Sequence, residues 1–260
     1  MGKPYIIGVS SQKGGVGKTT IAVNLSVALR SMDYNVLLID SDTTNPSVGF
    51  HLGLEKANVG YRDVMLGKVE LNDAIAVHSV TGLHVLPGTL NSKQFSPGVQ
   101  AVQKMGQDLT KGNYDYIILD TAPGFVENDL SIYYNEALIV TVPDMPSCTS
   151  SIRLARDYDN VKVNHNLVIN RVKNKKYEIS VPEIEEIYGK AISEEMPEDE
   201  IVPISISEHI PAYIVKPRSH FSTNVRKLAG MYISGKSGQA APPRRHFSII
   251  SFLKSLFRMR

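Results

Sequence analysis

Between Ser11 and Thr20 the chain reads SQKGGVGKTT. Closely spaced glycines let backbone N–H groups approach phosphate oxygens, and the lysine and hydroxyl that follow supply charge and a metal ligand. In the pattern G-x-x-x-x-G-K-[ST], Gly14, Gly15, Val16 and Gly17 would wrap the phosphates. Lys18 would sit against the β- and γ-phosphates, Thr19 would offer its hydroxyl to Mg²⁺, and Thr20 would continue the phosphate-binding turn. The first glycine of the pattern is replaced by Gln12, and a second lysine, Lys13, stands among the glycines. One phosphate loop needs one lysine, so on residue type alone Lys13 reads as a solvated surface side chain.

Two further segments supply the carboxylates that such a loop lacks. YIILDTAPG (116–124) ends its apolar run on Asp120, placed to hold a magnesium-bound water, and LLIDSD (37–42) ends on Asp40 and Asp42. Alternate residues of a strand share a face, so Asp40 and Asp42 can point at one metal and phosphate cluster. An isolated aspartate at a strand end serves a turn or helix cap more often than a metal. Two of them beside one phosphate loop reverse that preference.

With these segments in place the chain resembles the deviant Walker A ATPases of the MinD/ParA family. The resemblance rests on KGGVGKTT (13–20), IDSD (39–42), DTAPG (120–124), VINR (168–171) and MPEDEIV (196–202), in that order over residues 3 to 234. It implies that Lys13 is the signature lysine, which reaches the nucleotide of a second subunit in an ATP-dependent homodimer, much as an arginine finger does. It also implies that Asp42 orients the attacking water and that Asp40 supports the Mg²⁺ shell. Asn170 would read the adenine edge with Arg171 beside it, and the segment from Pro197 to Asp199 would close over the base. After Asp42, TTNPSVGFHLG (43–53) keeps the length and final glycine of the family's first switch but carries Asn45-Pro46.

The rest of the chain must position these residues. Its 260 residues, 42% hydrophobic and 21% charged, suit an α/β domain with a sizeable core. Apolar, β-branched runs at YIIGVS (5–10), NVLLID (35–40), LHVLPG (83–88), YDYIILD (114–120), ALIVTVP (137–143) and NLVIN (166–170) alternate with helix-period segments, one of them from Lys18 to about Ser31. Runs apolar on both sides predict a doubly wound, mostly parallel sheet flanked by helices over residues 1–234. GKSGQAAPP (235–243) reads as a flexible linker, and 244–260 as a separate helix. Only one cysteine, Cys148, is present, no signal-peptide pattern precedes the first strand, and the seven histidines lack metal-ligand spacing. The expected compartment is the cytosol.

Charge is distributed unevenly. Beyond Glu208 lie ten basic residues and no acid, +10 in all, leaving eighteen basic against twenty-six acidic side chains, or −8, for the remainder. A basic end implies an anionic partner, phospholipid or nucleic acid. In RRHFSIISFLKSLFRMR (244–260), Ile249, Ile250, Phe252, Leu253, Leu256, Phe257 and Met259 fill one half of a helical wheel; Lys254, Arg258, Arg244 and three serines fill the other. Phe247 falls at the border. At 1.5 Å per residue this helix would be about 25 Å long, but it lacks the roughly twenty consecutive apolar residues a span requires. The expectation is a helix lying in the interface of an anionic phospholipid membrane, on its inner face, with Phe247 among the inserted side chains.

ATP binding would then make the dimer, the dimer would bring two such helices to the membrane, and hydrolysis, aided by a protein activator, would release both. The competing reading is a partition ATPase that holds nucleic acid on Arg218, Arg226 and Lys227. DNA offers no place to bury Phe247, Phe252 and Phe257. An iron–sulfur carrier would need clustered cysteines, and the chain has Cys148 alone.

Overall fold

The computed structural model describes residues 2–89, 95, 97–124 and 130–235. The proposed linker after Gly235 and the basic amphipathic segment 244–260 lie outside the described residues.

Every apolar run identified in the sequence forms a strand: β1 (Tyr5–Ser10), β2 (Val36–Asp40), β4 (His84–Leu86), β5 (Tyr116–Asp120), β6 (Glu136–Thr141) and β7 (Asn164–Val172). Two short edge strands join them, β3 (Ala76–Val77) and β8 (Glu194–Pro197). Neither has enough apolar residues to announce itself, and both form only because a longer strand is there to pair with. The sheet order is β3-β4-β2-β5-β1-β6-β7-β8, and all pairings are parallel except that of β3 with β4. The helices are α1 (Lys18–Arg30), α2 (Val48–Leu52), α3 (Tyr61–Met65), α4 (Leu71–Ala74), α5 (Val99–Lys111), α6 (Met145–Asn160), α7 (Val181–Tyr188), α8 (Ile201–Ser207), α9 (Ala212–Val215) and α10 (His220–Ile233).

Side chains alternate across the pleat, so each central strand serves two cores. Ile7, Val9, Leu38, Ile118 and Leu138 pack beneath α1 and α10, while Ile6, Leu37, Ile39, Ile117 and Leu119 face α3, α4 and α5. A third cluster gathers Ala137, Ile139, Leu167 and Ile169 under α6 and α7. Helix α1 is buried nearly all round, wedged between the sheet and α10, which explains its run of small and branched apolar residues. Helix α5 is the opposite case: only Val102, Met105, Gly106 and Leu109 are buried, one face at helical spacing. Local signals set the ends of the others. Asp144 caps α6 by accepting from the Ser147 N–H at 2.8 Å, and a Ser180–Glu183 capping box starts α7.

The strand order reverses around β1 and β5, and parallel strands deliver all their carboxyl ends to one edge. That crevice is where a doubly wound sheet binds ligands. Two tyrosines just ahead of β6 depend on glycine. A Cβ on Gly8 would lie 1.9 Å from the Tyr134 ring, and one on Gly106 2.2 Å from the Tyr133 ring. Gly230, in α10, has open space around it.

These surroundings give opposite outcomes for one substitution. Gly230→Ala should stabilise the protein by about 1 kcal/mol through helix propensity. Gly106→Ala, also inside a helix, should instead destabilise it by about 1–3 kcal/mol because Tyr133 has to move. Urea melts of the two variants against the parent check both signs.

Candidate nucleotide site

The loop between β1 and α1 takes the shape its glycines permit. Gly15 and Gly17 adopt left-handed backbone, with φ of 79° and 97°, and Gly17 caps the start of α1. A Cβ at Gly17 would meet the Asn170 amide nitrogen at 2.2 Å. Asn170 uses that nitrogen to donate to the Val16 carbonyl at 2.8 Å, tying the end of β7 to the loop. On the other side Gly124 donates its N–H to the Ser11 carbonyl at 2.8 Å, which ties in the turn after β5. The loop is thus held from β7 and from the turn after β5.

Lys18 and Thr19 occupy the first turn of α1, and Lys18 is only 8% exposed. The Thr19 hydroxyl donates to Asp120 Oδ2 at 2.5 Å and lies 2.6 Å from the Ser47 hydroxyl. Asp120 and Asp40 are direct partners across the β2–β5 ladder, and each is 1% exposed. Burial pushes both carboxyls above the usual range, Asp40 further because of the Asp120 charge; the Thr19 hydroxyl and the Lys18 charge pull Asp120 back. Asp40 Oδ2 accepts the N–H groups of Ser47 and Val48, both at 2.9 Å, at the start of α2. Asp42 Oδ1 accepts those of Thr44 and Asn45, at 3.0 and 2.8 Å. Both aspartates therefore shape the loop 43–48, and Asp42 also lines the phosphate cavity.

The Asn45-Pro46 departure has a packing reason. A Cβ at Gly88 would lie 2.3 Å from Pro46 Cβ and 3.0 Å from Asp40 Cγ, so the proline rests on a glycine that also gives Asp40 its room. Ser47 is a site residue that motif reading missed. The only signal in the sequence was a small hydroxyl residue after the proline.

Around these residues lies a cavity of about 710 Å³, lined by Gly14, Gly15, Gly17, Lys18, Thr19, Thr20, Asp42 and the loop 44–47, with Pro123 and Arg171 at its side. His51 also lines it; burial pushes its imidazole down to about 4, so it is neutral at physiological pH. Lys13 does not line this cavity. Its charge instead reaches the Cys148 thiol on the first turn of α6, which burial pushes above the ordinary cysteine range. A smaller space of about 200 Å³ brings together Thr20, Asn170, Arg171, Pro197, Asp199 and Phe221. The two spaces share Thr20, Arg171 and Ile206. Asp199 is committed to scaffolding: its oxygens accept from the N–H groups of Ile201 at 3.1 Å and Phe221 at 3.3 Å. Arg171 lies at a register shift in β7 with φ of 58°, a conformation that costs a non-glycine residue on the order of 1 kcal/mol.

Among the described residues Asp120 Oδ1 is buried without a hydrogen-bond partner, and its neighbours Thr19, Ser47 and Asp40 offer only oxygen. This donor set fits Mg²⁺, a hard cation that takes one or two carboxylates and completes its shell with water and phosphate. Among the described residues no group of three or more His, Cys, Asp or Glu is placed to hold a metal ion by itself. A cation here would therefore share its ligands with a nucleotide.

The comparisons with known proteins agree with this chemistry. A ParA family profile, described as NUBPL iron-transfer P-loop NTPase, matches residues 3–218. An uncharacterized ATP-binding protein of Methanocaldococcus jannaschii is 28% identical over 260 residues, covering 98% of this chain and 97% of its own. The septum site-determining protein MinD of Pyrococcus horikoshii, solved with Mg-ADP, superposes with a TM-score of 0.81 at 28% identity, covering 90% of this chain and 98% of its own. The Aquifex aeolicus MinC:MinD cell division complex contributes a chain with a TM-score of 0.78 at 25% identity, covering 94% and 100%. A glycine loop held between two strands, a Lys18–Thr19–Asp120 cluster and a family match over most of the sequence lead to one conclusion: the chain belongs to the MinD/ParA family of P-loop ATPases.

Proposed function

We propose that this ATPase is a MinD-like switch: it dimerises on ATP, holds the inner face of the cell membrane through residues 244–260, and lets go on hydrolysis, thereby positioning division or another cellular structure. The observation that carries the reading is the separation of the two loop lysines. Lys18 lines the phosphate cavity of its own chain and Lys13 does not, as expected if Lys13 delivers its charge to a neighbour's nucleotide.

Thr19 and Asp120 would hold Mg²⁺, which neutralises charge on the β- and γ-phosphates when bound. Lys18 supplies a desolvated positive charge to the same oxygens. Asp42 orients water through Oδ2, since Oδ1 is occupied by the turn at Thr44 and Asn45. Because Asp40 and Asp42 anchor loop 43–48 beside the phosphates, loss of the γ-phosphate changes the charge that this loop faces, and the loop relaxes. Asn170, Arg171 and Pro197 form the base end of the site.

For the membrane step the support is sequence alone. One short amphipathic helix anchors marginally, and two on one dimer gain about 10² to 10⁴ in avidity. Among the described residues no helix is long and apolar enough to cross a membrane. The Aquifex aeolicus relative is found with MinC, and by that likeness a second protein would engage this dimer.

Of the cations named for the DNA reading, Arg226 stays exposed and charged. Arg226 donates to the Tyr213 hydroxyl at 3.2 Å and the Pro217 carbonyl at 3.1 Å, and lies over the Tyr213 ring. Cluster carriage would need exposed thiolates, whereas the chain's single cysteine is buried.

Sedimentation with anionic liposomes, and separately with duplex DNA, tests the cycle in the presence of ATP or ADP. Lipid binding should require ATP and vanish in a chain ending at Gly235; lipid binding indifferent to that truncation would sink the membrane reading. Lys13→Ala should leave ATP affinity within about twofold while hydrolysis falls about 10³-fold or more, the scale of a lost arginine finger. Full turnover in that variant would remove Lys13 from catalysis. Asp42→Asn keeps an acceptor for Thr44 and Asn45, so the ATP dimer should form and sediment with lipid while turnover stops. Single-turnover phosphate release measures this, and an unchanged rate would rule out the water-orienting role.

A further inference from the structure

At the edge of the sheet opposite the phosphate loop, the first residues of β2 and β4 and the last of α1 and α5 surround a cavity of about 420 Å³. It shares no lining residue with the nucleotide cavity. Helix α1 spans the distance between them: Lys18 opens its first turn and Arg30 ends its last, about 20 Å apart at 1.5 Å per residue.

The lining of this cavity includes Arg30, Lys111 and His84 and no acidic side chain. Among the described residues neither Arg30 nor Lys111 enters an ion pair. Among the described residues Arg30 makes one hydrogen bond, from Nε to the Gly82 carbonyl at 3.3 Å, which fixes the guanidinium and leaves its terminal N–H groups unused there. Asp115, which follows the lining residue Tyr114, is turned to the Asn35 N–H at 2.8 Å. His84 lies within reach of the Arg30 charge. Its imidazole lies below the ordinary histidine range, first through burial and then through the Arg30 charge. The side-chain amides of Asn35 and Asn72 also face the cavity without hydrogen-bond partners among the described residues. Tyr114, whose hydroxyl lies 3.0 Å from His84 Nδ1, adds an aromatic wall.

Converging unpaired cations repel one another unless an anion joins them, and a guanidinium already oriented by one hydrogen bond loses little freedom in gripping two oxygens of a phosphate. The volume falls within the range of small-molecule sites. We propose that this cavity is a second anion site, separate from the nucleotide site, that takes a small phosphomonoester. Arg30 and Lys111 hold the phosphate, and the Asn35 and Asn72 amides contact the esterified group.

The test uses the full chain saturated with ADP and Mg²⁺, so that the phosphate loop is filled, and titrates it by calorimetry with ribose 5-phosphate and with inorganic phosphate. One saturable site is expected. Arg30→Gln, Lys111→Gln and Asn72→Asp should each weaken it about tenfold or more, as the loss of a charge-assisted hydrogen bond or the gain of a repelling carboxylate requires. ADP affinity and the melting temperature should not change. Tighter binding of ribose 5-phosphate than of phosphate identifies an organic ligand, and the reverse order free phosphate; either supports the shared chemistry. If Arg30→Gln fails to fold because its bond to Gly82 is lost, Lys111→Gln and Asn72→Asp, both at exposed positions, carry the test alone. Heats that do not saturate, or binding that survives all the substitutions that fold, would show only solvated surface cations and overturn the site.

Discussion

Two buried carboxylates stand side by side at the carboxyl edge of the sheet, because the parallel pairing of β2 with β5 puts Asp40 directly opposite Asp120. Burial disfavours both ionised forms, and neighbouring carboxylates add to it, Asp120 at Asp40 and Asp42 at Asp120. Much of the surrounding structure reads as a response to that pair. Thr19 donates to one carboxylate, the backbone of Ser47 and Val48 donates to the other, and the buried Lys18 lends its charge. One oxygen, Asp120 Oδ1, is left without a partner among the described residues. A site so arranged has charge and ligands suited to a divalent cation and polyphosphate together, and its loop 43–48 is fastened to the groups that those ligands would perturb.

The same constraint explains why rigid and deformable parts sit next to each other. The phosphate loop is held from β7 by Asn170 and from the turn after β5 by Gly124. Loop 43–48, in contrast, hangs on hydrogen bonds to two aspartates and on the contact of Pro46 with Gly88. Hydrogen bonds to a carboxylate weaken when its charge is engaged elsewhere, so this loop is the part most directly coupled to what the phosphate site contains.

Much of the fold was legible because parallel strands buried on both faces must be continuous apolar runs, as β1, β2, β4, β5, β6 and β7 are. The edge strands β3 and β8 were not, since pairing rather than composition makes them strands. In the site, the glycines, Lys18, Thr19 and Asp120 could be read from their spacing, because a phosphate cradle needs those groups consecutively or at the end of a neighbouring strand. Ser47 could not: its hydroxyl reaches Thr19 only after α2 folds back under Asp40. Nor did spacing reveal that Asp199 is spent on the N–H groups of Ile201 and Phe221.

The sequence by itself determined the chemistry available: one cradle of backbone N–H groups, two lysines within it, carboxylates at strand ends, and a basic segment with an apolar face. These are properties of residue type and short spacing, which a linear pattern carries. Tertiary structure alone decided how they are shared. Strand register made Asp40 and Asp120 neighbours, packing against Gly17 pinned Asn170 to the loop, and the course of the chain left Lys13 outside the cavity that Lys18 lines. It also brought Arg30 and Lys111, eighty-one positions apart in sequence, to one cavity. Such meetings depend on which elements pack together over long separations, and no local pattern encodes that.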